Sequence, residues 1–117
     1  MSETLREITA KELSEKLLSG AKIAIVDVRE VWELNYAHIT DERVSNVPMS
    51  QIGRIQQEAF PLELRDPQAE IVVMCHHGVR SANVTQWMMQ NGWKNVSSLA
   101  GGIDAYAAQV DSSVGTY

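Results

Sequence analysis

The sequence predicts an α/β protein built on an open parallel sheet, and three observations carry that expectation. Short runs rich in β-branched residues alternate with stretches of helical period, the order of a parallel sheet with connecting helices. The runs Lys22 to Asp27 and Ile71 to Cys75 are apolar from Ile23 to Val26 and from Ile71 onward; strands buried on both faces read this way, whereas half-exposed strands alternate. The 117 residues suffice for one core, and no repeat, low-complexity stretch or linker divides them. One domain over residues 1–117 is expected, with a core from about 8 to 107 and a tail over 108–117.

The elements follow in order. Thr9 and Glu12 have capping-box spacing, Leu13, Leu17 and Leu18 form an apolar stripe, and Gly20 ends the helix. After the first strand, Glu30 to Tyr36 reads as a short helix or turn with Trp32 on its inner side. Val44 to Pro48 is a second strand, closed by a residue without an amide donor. Gln51 to Phe60 is expected to be helical with Ile52, Ile55 and Phe60 inward, and Pro61 to Glu70 to be a connecting loop. Ile71 to Cys75 is the clearest strand. Ser81 then reads as the N-cap of a helix that runs to about Asn91 before Gly92, with Val84, Trp87 and Met88 on its core face. Asn95 to Leu99 makes a last strand, and Gly101-Gly102 leads into a helix from Ile103. Asp111 to Tyr117 shows no periodicity and is expected to fray.

Composition narrows the function. Hydrophobic residues at 44% argue against disorder, and a formal net charge of −5 disfavours nucleic acid and anionic lipid as partners. An anionic substrate must therefore be held by local positive groups. The start of the chain, Met1 to Lys11, is polar and acidic, unlike a signal peptide, and a cytoplasmic monomer is expected. A single cysteine excludes an internal disulfide and a cysteine-rich zinc site.

That cysteine lies where a buried strand ends and a helix begins. Parallel sheets place their ligand crevices at strand carboxyl ends, and a helix N-terminus offers oriented amides. Both favour a thiolate over a thiol, as would His76, His77 and Arg80 if their side chains turn inward. Gly78 lets the loop curl so that successive amides converge on an anion. The adjacent histidines also suggest a metal, but no third ligand lies at helpful spacing in the sequence, so none is expected.

The run Cys75-His76-His77-Gly78-Val79-Arg80-Ser81 resembles the C-x-x-G-x-R-S active-site loop of single-domain rhodaneses. Three further segments resemble that family in its order. They are Asp27-Val28-Arg29-Glu30, then Ala37-His38-Ile39 with Asn46-Val47-Pro48, and Leu99-Ala100-Gly101-Gly102-Ile103. The resemblance covers about Ile8 to Ala107. It implies about five parallel strands with helices on both faces. Ala37 stands where that family usually has glycine, which puts the turn before His38 in question. Phosphatases of related architecture use a C-x5-R loop, wide enough for phosphate; only four residues separate Cys75 from Arg80, so a phosphatase or arsenate reductase falls behind.

The resemblance implies a sulfurtransferase without a cofactor. Cys75 would take a sulfur from thiosulfate or another persulfide donor and hold it as a persulfide among the amides of residues 76–80. Cyanide, a thiol or a partner protein would then remove it. Arg80 either holds the sulfonate of an anionic donor or braces the loop against an acidic residue elsewhere. His76 and His77 would raise the local positive potential or line the entrance. Asp27 and Arg29 would brace the site, a surface ion pair being the alternative for Arg29, and His38 reads as a structural histidine in a turn. With no second cysteine, the sulfur must leave to an external acceptor, so Cys75 is expected to be accessible. A rhodanese-like relay or interaction module without turnover is the reading from another functional class.

Overall fold

The computed structural model describes residues 4–117, so the acidic start of the chain at residues 1–3 lies outside them. Five strands form one sheet: β1 (Glu7–Ile8), β2 (Ala24–Asp27), β3 (Val44–Asn46), β4 (Ile71–Met74) and β5 (Val96–Leu99). Their order is β1-β5-β4-β2-β3, and every pairing is parallel. The register aligns Asp27 with both Asn46 and Met74, so these residues and Cys75 arrive together at the carboxyl ends of the strands.

Helices cover both faces, as expected. Along β4, Val72 and Met74 point into a core shared with α1 (Ala10–Leu18) and α4 (Gly102–Gln109). Ile71, Val73 and Cys75, on the alternate parity, point into a second core with α2 (Met49–Ile55) and α3 (Val79–Gln90). The parity of one strand thus assigns the cysteine to the α3 side. In that second core Trp93 donates from its indole nitrogen to the Leu64 carbonyl at 2.7 Å and packs on Phe60, with ring centroids 5.1 Å apart.

Several elements match the sequence reading and several depart from it. The Thr9–Glu12 capping box forms in both directions at 3.1 Å. Leu13 is fully buried, but Leu18, one residue beyond Leu17 on the helix, turns to solvent. The helix expected to Phe60 ends at Ile55, because Gln56 takes a left-handed φ of 53° and the chain continues as a 3-10 turn over Gln56–Ala59. Ile55 is accordingly half-exposed, whereas Ile52 and Phe60 are buried. A further 3-10 turn, Leu62–Arg65, interrupts the expected loop. The two-residue β1 was not anticipated.

Two corrections bear on the site. Val31–Asn35 is a 3-10 helix that directs Glu33 inward, and Trp32, a third of a turn earlier, is 61% exposed. The tail does not fray. Val114 is buried, its carbonyl accepts from the His38 amide at 2.9 Å, and the chain continues to Tyr117 at the sheet edge.

The turn into α4 depends on Gly102, whose φ is +63° and whose added Cβ would stand 2.4 Å from the His76 carbonyl oxygen. Gly53, in exposed α2, has nothing within 4 Å. Gly102→Ala is expected to cost more than about 2 kcal/mol, and Gly53→Ala to gain about 0.5–1 kcal/mol. Urea midpoints check both; a parent-like midpoint for Gly102→Ala would contradict this account.

Candidate active site

Cys75 follows β4, and its loop is set by two glycine-dependent approaches. Gly78, with φ of 104°, turns the chain directly into α3, so the helix starts at Val79 and not after Ser81. Ser81 is therefore a buried first-turn residue facing the cysteine, not the N-cap. Behind the loop, the first amides of α4 hold it in place: Ile103 N–H donates to the Cys75 carbonyl at 2.9 Å and Asp104 N–H to the His76 carbonyl at 3.1 Å. The Gly101-Gly102 pair makes that backbone contact possible.

The sulfur sits among donors. Gly78 N–H reaches Sγ at 3.1 Å and Ser81 N–H at 3.3 Å, while the thiol itself donates to Ser81 Oγ at 3.4 Å. Ser81 Oγ also contacts Ser98 Oγ at 2.8 Å and donates to the Gly78 carbonyl at 3.2 Å. Ser98, on β5, is a member of the site that the sequence did not single out. The arrangement solvates an anion on sulfur with main-chain dipoles at the start of a twelve-residue helix. Cys75 is only 1% exposed, which corrects the expectation of an accessible thiol.

Arg80 does not point at the sulfur as a free cation. Its Nη1 and Nη2 each donate to a Glu33 carboxylate oxygen at 2.8 Å. Hydrogen bonds from Arg80 hold Glu33 down at about 2, against the effect of its burial, with the Glu30 amide and the Tyr117 hydroxyl assisting. The pairing raises Arg80 above its ordinary value in turn. Glu33 is the acidic residue for which the bracing alternative called.

Asp27 and Arg29 form a second pair, fully buried and not at the surface. Arg29 Nε and Nη2 reach the two Asp27 oxygens at 2.8–3.2 Å, and Nη2 also donates to the Ala37 carbonyl at 2.9 Å. Burial works against its charge, but the bonds to Asp27 and Tyr117 keep it above its usual value. Ala37 needs no glycine, since Gln56 is the only non-glycine residue with positive φ among those described. His38 is exposed, tied by its backbone and not by a buried ring. Asn46 closes the strand end by donating to the carbonyls of Asp27 and Arg29, each at 2.9 Å.

Tyr117 joins the two pairs. Its hydroxyl accepts from Arg29 Nη1 at 3.0 Å and donates to Glu33 Oε1 at 2.9 Å. Its ring lies between Tyr36 and His76, the latter nearly parallel with centroids 3.7 Å apart. His76 in turn stacks on His77 at 3.8 Å. Burial and the neighbouring His77 lower the His76 pKa, and its Nε2 is buried without a hydrogen-bond partner, which suits a neutral ring. Space supplies a third ligand candidate that spacing did not: Asp104, whose carboxylate is 3.8 Å from His77 Nδ1. The ligand atoms of His76, His77 and Asp104 lie within 4.8 Å of one another. Val79, the remaining loop residue, is exposed.

The rhodanese-like domain model matches residues 9–109. The chain is 30% identical to a rhodanese-like/PpiC domain-containing chloroplast protein of Arabidopsis thaliana, over 98% of this chain but only 38% of that longer protein. It is 32% identical to the thiosulfate sulfurtransferase GlpE of Haemophilus influenzae, over 88% of this chain and 89% of the relative. A rhodanese-related protein of Thermoplasma volcanium superposes with a TM-score of 0.73 at 30% identity, over 90% of this chain and 93% of that one. No helix among the described residues is long and apolar enough to cross a membrane. With the family model spanning most of the chain and the cysteine loop at the carboxyl end of the central strand, the protein belongs to the rhodanese-like domain family.

Proposed function

We propose that this protein is a rhodanese-type sulfurtransferase, moving a sulfane sulfur from thiosulfate or a persulfide donor to a thiophilic acceptor through Cys75. The observation that carries the reading is the Cys75 sulfur, held at a strand end with the Gly78 and Ser81 amides aimed at it. The family relationship supports a sulfurtransferase-like role, and the GlpE relative supports thiosulfate as one donor.

The transfer is two displacements at sulfur. The Cys75 thiolate attacks the outer sulfur of thiosulfate; a new S–S bond forms as the old one breaks, and sulfite leaves with the bonding pair. Cys75 then carries a persulfide anion, and the charge of the pair of reactants is conserved. Cyanide or a thiolate next attacks that outer sulfur, and Cys75 departs as thiolate. No net oxidation occurs, and no cofactor enters. Loop amides stabilise the anion at each stage.

Residue roles follow from placement. His76, His77, Gly78, Val79, Arg80 and Ser81 form the loop that receives the donor. Arg80 braces it through Glu33, and Asp27 and Arg29 fix the strand end on which that brace rests. A second reading, a relay exchanging sulfur only with a protein, draws on the exposed Val31, Trp32, Tyr36 and Val79 beside the site.

Intact mass spectrometry before and after thiosulfate tests the proposal. The parent should gain one sulfur that cyanide removes, and Cys75→Ser should gain none. No gain on the folded, reduced parent from thiosulfate, with gain from a protein persulfide, would move the relay to first place. Ser81→Ala removes the hydroxyl near Sγ but keeps the main-chain donor. Because that hydroxyl accepts from the thiol and gives its own proton to the Gly78 carbonyl, alkylation of Cys75 by iodoacetamide should stay within about threefold of the parent. A fall of about tenfold or more would make the hydroxyl a donor to the thiolate and overturn the main-chain account.

A further inference from the structure

Two arginines near the site are spent on carboxylates: the buried Arg29 on Asp27, and Arg80 on Glu33. On the other side of the loop Asp104 stands near His77, and its field, like that of Glu33, reaches His76. His76 is itself sandwiched between the Tyr117 and His77 rings. Glu33 cannot swing away to free Arg80, because the Glu30 amide and the Tyr117 hydroxyl hold its two oxygens at 2.8 and 2.9 Å. The cationic loop that an acidic chain needs to attract a dianion is therefore electrically cancelled. The chain as a whole carries −5 and adds no compensating attraction.

We propose that Glu33 determines donor choice: by neutralising Arg80 it turns the site from dianionic thiosulfate toward persulfides whose leaving group is a thiol. The inference rests on the sulfurtransferase reading above and names the donor class for that same cysteine. The displacement is balanced. Cys75 thiolate attacks the outer sulfur of R–S–SH, the Cys75–sulfur bond forms as the R–S to sulfur bond breaks, and RS departs as a thiol with the proton of the outer sulfur. The transferred atom is the same for both donors. What differs is the leaving group: sulfite keeps a double negative charge beside Glu33 and Asp104, whereas a thiol brings none.

The test compares loading of Cys75 by thiosulfate and by hydroxyethyl persulfide, whose organic part is uncharged, using intact mass at pH 8, above the ordinary histidine range. In Glu33→Gln, which keeps the size of the side chain, the ratio of thiosulfate to persulfide rate should rise by about tenfold. Glu33→Asp keeps the charge and should hold the ratio near the parental value. Added salt screens like charges, so about 0.5 M sodium chloride should speed thiosulfate loading of the parent, and by less in Glu33→Gln. An equal fall with both donors in Glu33→Gln, an Asp variant that behaves like Gln, or a parent slowed by salt would overturn the proposal. Failure of both donors to load the parent would instead defeat the sulfurtransferase reading itself, and this inference with it.

Discussion

The buried guanidinium of Arg29 is the constraint on which the site edge is built. A fully enclosed arginine must place its N–H donors on partners inside the protein, since leaving a buried charge uncompensated costs about 3–5 kcal/mol. Asp27, two residues earlier on the same strand end, takes two sides of the fork. The remaining donors dictate where other segments go: the Ala37 carbonyl must come to Nη2 and the Tyr117 hydroxyl to Nη1. The turn after the 3-10 helix and the far end of the described chain are both fixed by this one side chain. From Tyr117 the chain of bonds passes through Glu33 to Arg80 and so to the loop. The order of charges alternates along it, anion, cation, hydroxyl, anion, cation, and the Glu33 carboxylate stands between Arg80 and Tyr117, whose hydrogen bonds favour its ionised form.

A consequence is that the cysteine depends on dipoles more than on charges. If Arg80 were free, its proximity would be the obvious source of anion stabilisation. Paired bidentately with Glu33, it contributes direction and rigidity, and the nearer donors are the Gly78 and Ser81 amides. Those amides are fixed by backbone, behind which α4 presents its own amides to the Cys75 and His76 carbonyls. The loop is therefore held from two sides, by a salt bridge in front and by the Gly101-Gly102 turn behind.

What the sequence made legible was what local chemistry decides. The Thr9–Glu12 capping box lies within one helical turn, and Ile71 to Cys75 announces a buried strand by its own apolar run. The cysteine loop could be located because strand, glycine and helix are contiguous there. The sequence reading failed where the deciding contact is distant. Glu33 and Arg80 are separated by 47 positions, and Tyr117 reaches Arg29 across 88. Nothing periodic marks Tyr117, so a docked tail read as a fraying one. The sequence puts Trp32 on the inner side of its turn, yet the 3-10 helix buries Glu33 for Arg80 and leaves Trp32 in solvent. Ser81 has a good N-cap side chain, but Gly78 in the left-handed region starts the helix earlier and gives that hydroxyl to the sulfur.

Burial of Cys75 bears on how a sulfur can be passed on. A side chain with 1% exposure gives an acceptor little of Sγ to touch. A persulfide places the reactive atom one S–S bond, about 2 Å, farther out. The atom that must be reached is thus not the one that is enclosed. On the sulfurtransferase reading, the Gly78 and Ser81 amides that contact Sγ would also lie close to that outer sulfur, and Val79 and Trp32 are exposed nearby for an acceptor to meet. On that reading, enclosure would shield the unloaded thiol, and loading would bring the sulfur to be transferred nearer to solvent. With one cysteine in the chain, no internal thiol competes for it.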